Sequence, residues 1–340
     1  MTNNSTLGTT LRRAAVAFGL ACAACAAHAQ ADYSAYGVAD FSYGRFENSG
    51  FEAVHRFNSN SMTASFVGVN AKYGFDGGWT PGITLETFVR FQDFKTGRND
   101  NDPALSRKAF VSLASDYGTL SVGRLQTLLF DTTTRFNAMG NSIGFSPAIR
   151  QIFFGGNLEG VQRDFYWNRA AGYVSPSFEG VTGSVMYSLG PEDQRSDLVG
   201  ANIVVSRGLF AAALSTQRVH FNDGINDPTE EQTWQLGATY NFGWARVFGL
   251  YTHTDDKGLD VRSNLYSGGV AVPLGPGTLQ FQAGFAKTSG PAVDRKHTSF
   301  SLAYLYAFDS VTDFYVVGMD DRVRGQTRGE SMAVGVRYRF

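Results

Sequence analysis

The chain has 340 residues, 43% of them hydrophobic and 14% aromatic, with 39 glycines, two cysteines and a formal charge of −1. Mean hydropathy is only −0.17, and beyond residue 29 no apolar run reaches the ~20 residues a membrane helix needs. The near-neutral balance provides no basic stripe, which excludes nucleic acid as a partner.

Arg12 and Arg13 precede an apolar run over 14–27 that leads into Ala27-His28-Ala29, a small-x-small cleavage pattern. Residues 1–29 are therefore expected to be a removed export signal and 30–340 the mature domain. Cys22 after Leu20-Ala21 faintly resembles a lipoprotein acylation site, but Ala27-His28-Ala29 fits better. Cys22 and Cys25 both fall in the signal, so the mature chain has no disulfide or thiolate chemistry. Losing Arg12 and Arg13 leaves 27 basic against 30 acidic residues, a net charge near −3.

From Tyr33 onward, segments of about ten residues alternate apolar and polar side chains with a period of two, and no useful stretch has helical periodicity. Strands are expected near 33–46, 62–75, 82–94, 106–115 and 118–127, then near 167–175, 181–189, 198–206, 209–219, 232–242 and 245–254. The last five fall near 263–273, 277–288, 297–308, 313–321 and 331–340. Short spacers at 75–82, 115–118, 175–180, 206–208, 241–244, 273–277 and 309–313 carry the Gly, Pro, Asn, Asp and Ser of tight turns. Longer polar spacers alternate with them at 48–61, 96–105, 191–197, 222–230, 255–262, 289–296 and 322–330. Short turns on one side and long loops on the other predict an all-β fold, a 16-stranded antiparallel transmembrane β-barrel. Such a barrel escapes the hydropathy limit because only alternate residues meet lipid. The final segment puts Met332, Val334, Val336 and Tyr338 on one face and stops on Phe340, as the closing strand of an outer-membrane barrel does.

Alternation also assigns the facing. In 83–92, Ile83, Leu85, Thr87, Val89 and Phe91 point outward, and Thr84, Glu86, Arg90 and Gln92 inward. A charge on the lipid face near the midplane would cost roughly 2–4 kcal/mol, so Glu86 and Arg90 belong in water. The same argument turns Asp40, Asn70 and Lys72 inward and implies a wet lumen.

One connection breaks the pattern. Residues 127–166 lack clear alternation, and so long a loop in a compact domain is usually functional. It combines Asp131, Arg135, Arg150, Glu159, Arg163 and Asp164 with Phe130, Phe136, Phe145, Phe153 and Phe154, too many phenylalanines for an exposed loop. Folding into the lumen would pack the rings on the inner wall and carry the charges to a constriction. The alternatives are a cover over the extracellular mouth or a hairpin hidden around 143–154.

The order of several segments resembles the Gram-negative general porins, especially those of the neisserial and burkholderial type. The carriers are Tyr36-Gly37-Val38-Ala39-Asp40, Gly68, 72–78 leading to Leu85-Glu86, 107–113, 116–124, 172–180 and Tyr338-Arg339-Phe340. The resemblance implies an outer-membrane homotrimer in contact with lipid, with the third long loop folded inward to form the constriction. It implies passive diffusion of ions and small hydrophilic solutes, with no cofactor. A basic ladder on the wall would face acidic groups on the loop; Arg124 matches by position, with Arg107 or Lys108 beside it. Together with facing and loop charges, the constriction candidates are Asp40, Lys72, Glu86, Arg90, Arg107, Lys108, Arg124, Asp131, Arg135, Glu159 and Asp164. Related porins carry arginine where this chain has Phe66, Asn70 and Gly172, so its ladder departs from theirs. Strict alternation from Leu120 and Val122 would turn Arg124 outward, so a bulge near Gly123 is required.

Two other functions compete. A barrel hydrolase would need a histidine paired with a serine or aspartate at the rim, but His55, His220, His253 and His297 sit in no nucleophile motif. A substrate-selective porin for sugars, phosphate or organic anions could use aromatic tracks such as Phe88, Phe110 and Phe154, or an arginine cluster.

Overall fold

A computed structural model describes residues 31–154, 164–190, 197–221 and 229–340; the expected signal over 1–29 lies outside them. The described residues form one antiparallel sheet that bends until its ends meet. Its long strands are β1 (Ala31–Phe46), β3 (Phe66–Tyr73), β4 (Thr80–Arg90), β6 (Ala109–Ser115), β7 (Gly118–Gln126), β8 (Tyr166–Val174), β9 (Val181–Ser188) and β10 (Asp197–Arg207). They continue as β11 (Phe210–Phe221), β12 (Thr229–Asn241), β13 (Arg246–Asp256), β14 (Val261–Leu274), β15 (Gly277–Gly290), β16 (Val293–Ala307), β17 (Thr312–Val323) and β18 (Gly329–Arg339). Two short strands, β2 (Val54–Asn58) and β5 (Lys95–Thr96), belong to the first two long connections, so sixteen strands make the wall.

Closure runs through β1. Its first half pairs with β3 from Ala31↔Tyr73 to Val38↔Phe66, and its second half with β18 from Val38↔Arg339 to Arg45↔Met332. Gly37 and Phe340 exchange backbone hydrogen bonds at 2.9 and 3.2 Å. A Cβ at Gly37 would lie 2.6 Å from the Phe340 ring, so glycine is what lets the last residue seat there.

Facing follows the pleat. In β12, Trp234 and Leu236 are 47% and 53% exposed on the outer face, while Thr233, Gln235 and Gly237 are buried on the inner one. The outward row is apolar and the inner row is polar, the pattern a barrel between lipid and water requires. Aromatic residues gather outside at the short-turn rim, where Tyr240 packs on Phe242 at 4.6 Å and Phe308 on Phe314 at 5.7 Å. Such a girdle suits the boundary between hydrocarbon and water.

Several expected long loops are instead continuations of strands. The β15–β16 ladder runs to Gly290↔Val293, and β13–β14 runs to Asp256↔Val261, so 289–296 and 255–262 are paired almost to their tips. Their side chains are polar because they stand in water, yet cross-strand pairs such as Arg262–Asp255 at 3.2 Å sustain the ladder. Most of 191–197 and 222–230 lies outside the described residues.

Candidate channel constriction

The third long connection contains two helices that periodicity did not reveal, each too short for a helical period to emerge. Helix α1 (Leu128–Arg135) starts at Thr127, whose side chain accepts from the Phe130 amide. Helix α2 (Pro147–Phe153) starts at Ser146, which accepts from the Ile149 amide, with Pro147 in the first turn. These caps and the proline satisfy donors that would otherwise be orphaned, so local chemistry dictates the helices. No hairpin forms around 143–154.

The connection packs against the inward faces of β10 to β17. Leu129, Phe136, Ala148 and Ile152 join Ala211, Ala213, Leu250, Leu265 and Ala286 in one apolar cluster, and Met139 and Phe145 join Met62, Ala303, Leu305, Tyr315 and Val317 in a second. Polar contacts pin it too: Gln235 donates to Thr133 at 2.9 Å, the Met139 amide to Gln282 at 3.2 Å, and Gln151 to Ser299 at 3.1 Å. The wall is shaped for this. A Cβ at Gly237 would lie 2.7 Å from the Phe136 ring, at Gly269 2.7 Å from Ala138, and at Gly284 2.8 Å from Pro147. Burying one large apolar side chain is worth ~1.5–3 kcal/mol, so the rings hold the segment against its loss of freedom.

At the base of the connection lies a charge network. Glu86 is buried against Arg107 and accepts from the Tyr36 hydroxyl at 2.6 Å. Arg107 lies 3.9 Å over the Phe66 ring. Arg124 donates to Ser106 O at 3.0 Å, Tyr166 O at 3.2 Å, Asn168 Oδ1 at 2.8 Å and Asp164 Oδ2 at 2.9 Å. Asp164 also receives Arg98 at 2.6 and 2.8 Å, and Arg98 in turn forks onto Asp102. Burial would raise the Asp102 carboxyl, but hydrogen bonds from the Arg98 side chain and amide outweigh it and hold the group below its ordinary range. The β7–β8 register slips between Gly123 and Leu125, where Gly123 has φ of +142°. That slip brings Arg124 onto the side of Tyr166 and Phe88, the lumen side; a side chain at Gly123 would strike Ala109 O.

The other candidates divide by surroundings. Asp40 does not line water: it is fully buried, accepting the Met62 and Thr63 amides at 3.1 and 2.9 Å and the Tyr315 hydroxyl at 2.7 Å, and so clamps the first long connection. Arg90 is spent within the second connection, on Asp93 at 3.5 Å and on Asp100. Lys108 is half-buried at the start of β6, and Lys72 is exposed near the short-turn rim. Asp131 is exposed on α1, with Arg135 and Lys108 as neighbouring charges. The surrounding wall still desolvates it, which raises its carboxyl above the ordinary value. Glu159 lies outside the described residues.

Sequence reasoning did not single out Arg98, Arg246 and Arg337. On the short-turn side of α1, Arg135 and Arg246 meet Arg337 around a cavity of about 240 Å³. Alternation could have found two of them, since the row Met332, Val334, Val336 faces outward and leaves Arg337 inward, while Arg246 and Phe248 share the inward row of β13. His297 is buried, 2.7 Å from Asp321.

A family model described as Gram-negative porin matches residues 14–326. The chain is 23% identical over 317 residues to outer membrane porin protein 32 of Delftia acidovorans, covering 90% of this chain and 88% of that protein. Its fold is similar to an anion-selective porin from Comamonas acidovorans, with a TM-score of 0.77 at 19% identity over 92% of this chain and all of that one. A trimer form of OmpT from Vibrio cholerae matches with a TM-score of 0.69 at 14% identity, over 92% of this chain and 100% of that one.

Proposed function

Because the chain belongs to the Gram-negative porin family and closes as a sixteen-stranded outer-membrane channel, we propose that ions and small hydrophilic solutes cross it by passive diffusion through a cross-section narrowed by α1 and α2. The carrying observation is the seat of α1 and α2 on the inner wall, which removes area from the lumen. Residues 1–29 act as the export signal, and the barrel works as a homotrimer, as the trimeric form of a structural relative suggests. No cofactor or energy source enters this reading. It assigns no catalysis to Ser299, His297 and Asp321 either: all three are buried, and the Ser299 hydroxyl donates to the carboxylate at 2.7 Å.

The channel prefers anions. Among the described residues, Glu86, Asp102, Asp164 and Asp313 are each engaged by arginine, whereas Arg135 donates to Ser206 at 2.7 Å and Arg246 to Thr239 at 3.1 Å, both neutral partners. The Comamonas relative, named as anion-selective, supports the same preference. The test is single-channel conductance in a planar bilayer with reversal potential in a salt gradient. Steps in groups of three with a potential on the anion side are expected. Arg124→Ala should move the potential toward cations and Asp131→Asn toward anions; if neither moves it, the constriction assignment fails.

A further inference from the structure

On the outer wall, at the long-loop end, one row of the sheet collects cations. Lys287 of β15 and Lys296 of β16 stand directly opposite each other in the antiparallel register, both exposed on the outward face. Arg324, whose amide donates to Lys296 O at 2.9 Å, continues the row just past the end of β17. Directly opposed residues hold their Cβ atoms roughly 5 Å apart, so like charges there destabilise the ladder. Among the described residues, neither lysine ammonium has a hydrogen-bond or ion-pair partner. Asp294, one outward position above Lys296, meets Arg324 at 3.6 Å, but the two side chains are 67% and 64% exposed, and so open a pair is weak. Height along the barrel gives the row its meaning. Lys296 stands ten residues above Tyr306, an outward aromatic of the short-turn rim. At ~3.3 Å per residue and a strand tilt near ~40°, that rise is roughly 25 Å along the axis, the height of the apolar band. The row therefore sits at the level of lipid headgroups, and the wall below it is apolar: Phe285 lies directly under Lys287, faces Tyr266 across the ladder and meets the Phe300 ring edge-on at 5.7 Å.

We propose that Lys287, Lys296 and Arg324 bind the phosphates of an anionic lipid in the leaflet at the long-loop end, with its acyl chains laid on the aromatic strip below. A phosphate oxygen between the two lysines turns their mutual repulsion into attraction for a shared anion. Neighbouring strands are ~4.8 Å apart, so three cations on three strands span roughly 10 Å, more than one phosphate can reach. The row thus favours a lipid with two phosphates over a lipid with one. The site faces lipid and not the lumen, so it goes beyond the channel reading and holds whatever solutes cross.

The experiment is native mass spectrometry and thermal unfolding of the delipidated barrel in neutral detergent, with diphosphoryl lipid A, monophosphoryl lipid A or phosphatidylcholine added. The diphosphoryl lipid should bind saturably, one per chain, and raise the unfolding temperature; the monophosphoryl lipid should bind severalfold more weakly, and phosphatidylcholine should do neither. Lys287→Glu, which sets a carboxylate opposite Lys296, should raise the unfolding temperature of the lipid-free barrel and weaken diphosphoryl binding by about tenfold or more. Its single-channel conductance should match that of the native chain, which shows that the barrel is intact. Should Lys287→Glu give no conducting barrel, Lys296→Gln, which only removes a charge, is held to the same loss of binding. Equal uptake of phosphatidylcholine would assign binding to the aromatic strip alone and overturn the proposal. Undiminished binding in the variant overturns it as well, and equal stabilisation by millimolar inorganic phosphate would make the row an ion site and not a lipid site. None of these results touches the channel reading, which fails separately if the native chain does not conduct.

Discussion

At the scale of single residues, inward charges in this barrel do two jobs that type and facing alone do not distinguish. Glu86 and Arg107 are buried on each other, with Tyr36 and Phe66 around them, and act as masonry. Removing one partner of a buried pair strands the other, which costs about 3–5 kcal/mol. Glu86→Gln should therefore lower the unfolding temperature of the detergent-solubilised barrel; an unchanged midpoint would mean that Arg107 is satisfied without it. Asp40 is masonry too. Its inward direction was legible in the alternation around Ala39 and Phe41, but its burial was not, because that depends on Met62 and Thr63 folding back over it.

Among elements, strands were the legible part and the third connection the opaque one. All sixteen wall strands lie within a few residues of where period-two alternation places them, since lipid on one side and water on the other impose that period on every strand. The connection carried only its phenylalanines as a sign of inward packing. A second sign was present in the opposite wall: Ala211, Ala213, Gly237, Gly269, Gly284 and Ala286 occupy inward positions of adjacent strands. A lumen open to water gives no reason for side chains that small, whereas a helix laid against the wall does. Gly237→Val should test this, because its Cβ alone would intrude on the Phe136 ring. The expected result is a dislodged connection, read as larger and noisier single-channel steps; unaltered steps would show that Phe136 does not anchor it.

For the molecule as a whole, selectivity is the sum over the lumen, and acidity should tilt it. Asp131 titrates above an ordinary carboxylate because the enclosing wall desolvates it, so it is neutralised early as pH falls. Anion preference should rise between neutral and mildly acidic pH in the native chain, and Asp131→Asn should flatten the early part of that rise. A variant that keeps the full pH response would place the titrating group elsewhere. The closure described at β1 bears on how such a molecule comes into being. One of its edges finds β3 and β2 nearby, but the other edge of its upper half waits for β18, almost the whole chain later. Few contacts in a fold are less local, so ring closure is entropically late and slow, and until then the first strand carries an open edge of unpaired amides and carbonyls able to recruit another chain. The hazard in making this channel therefore lies in the interval between the arrival of its first strand and its last.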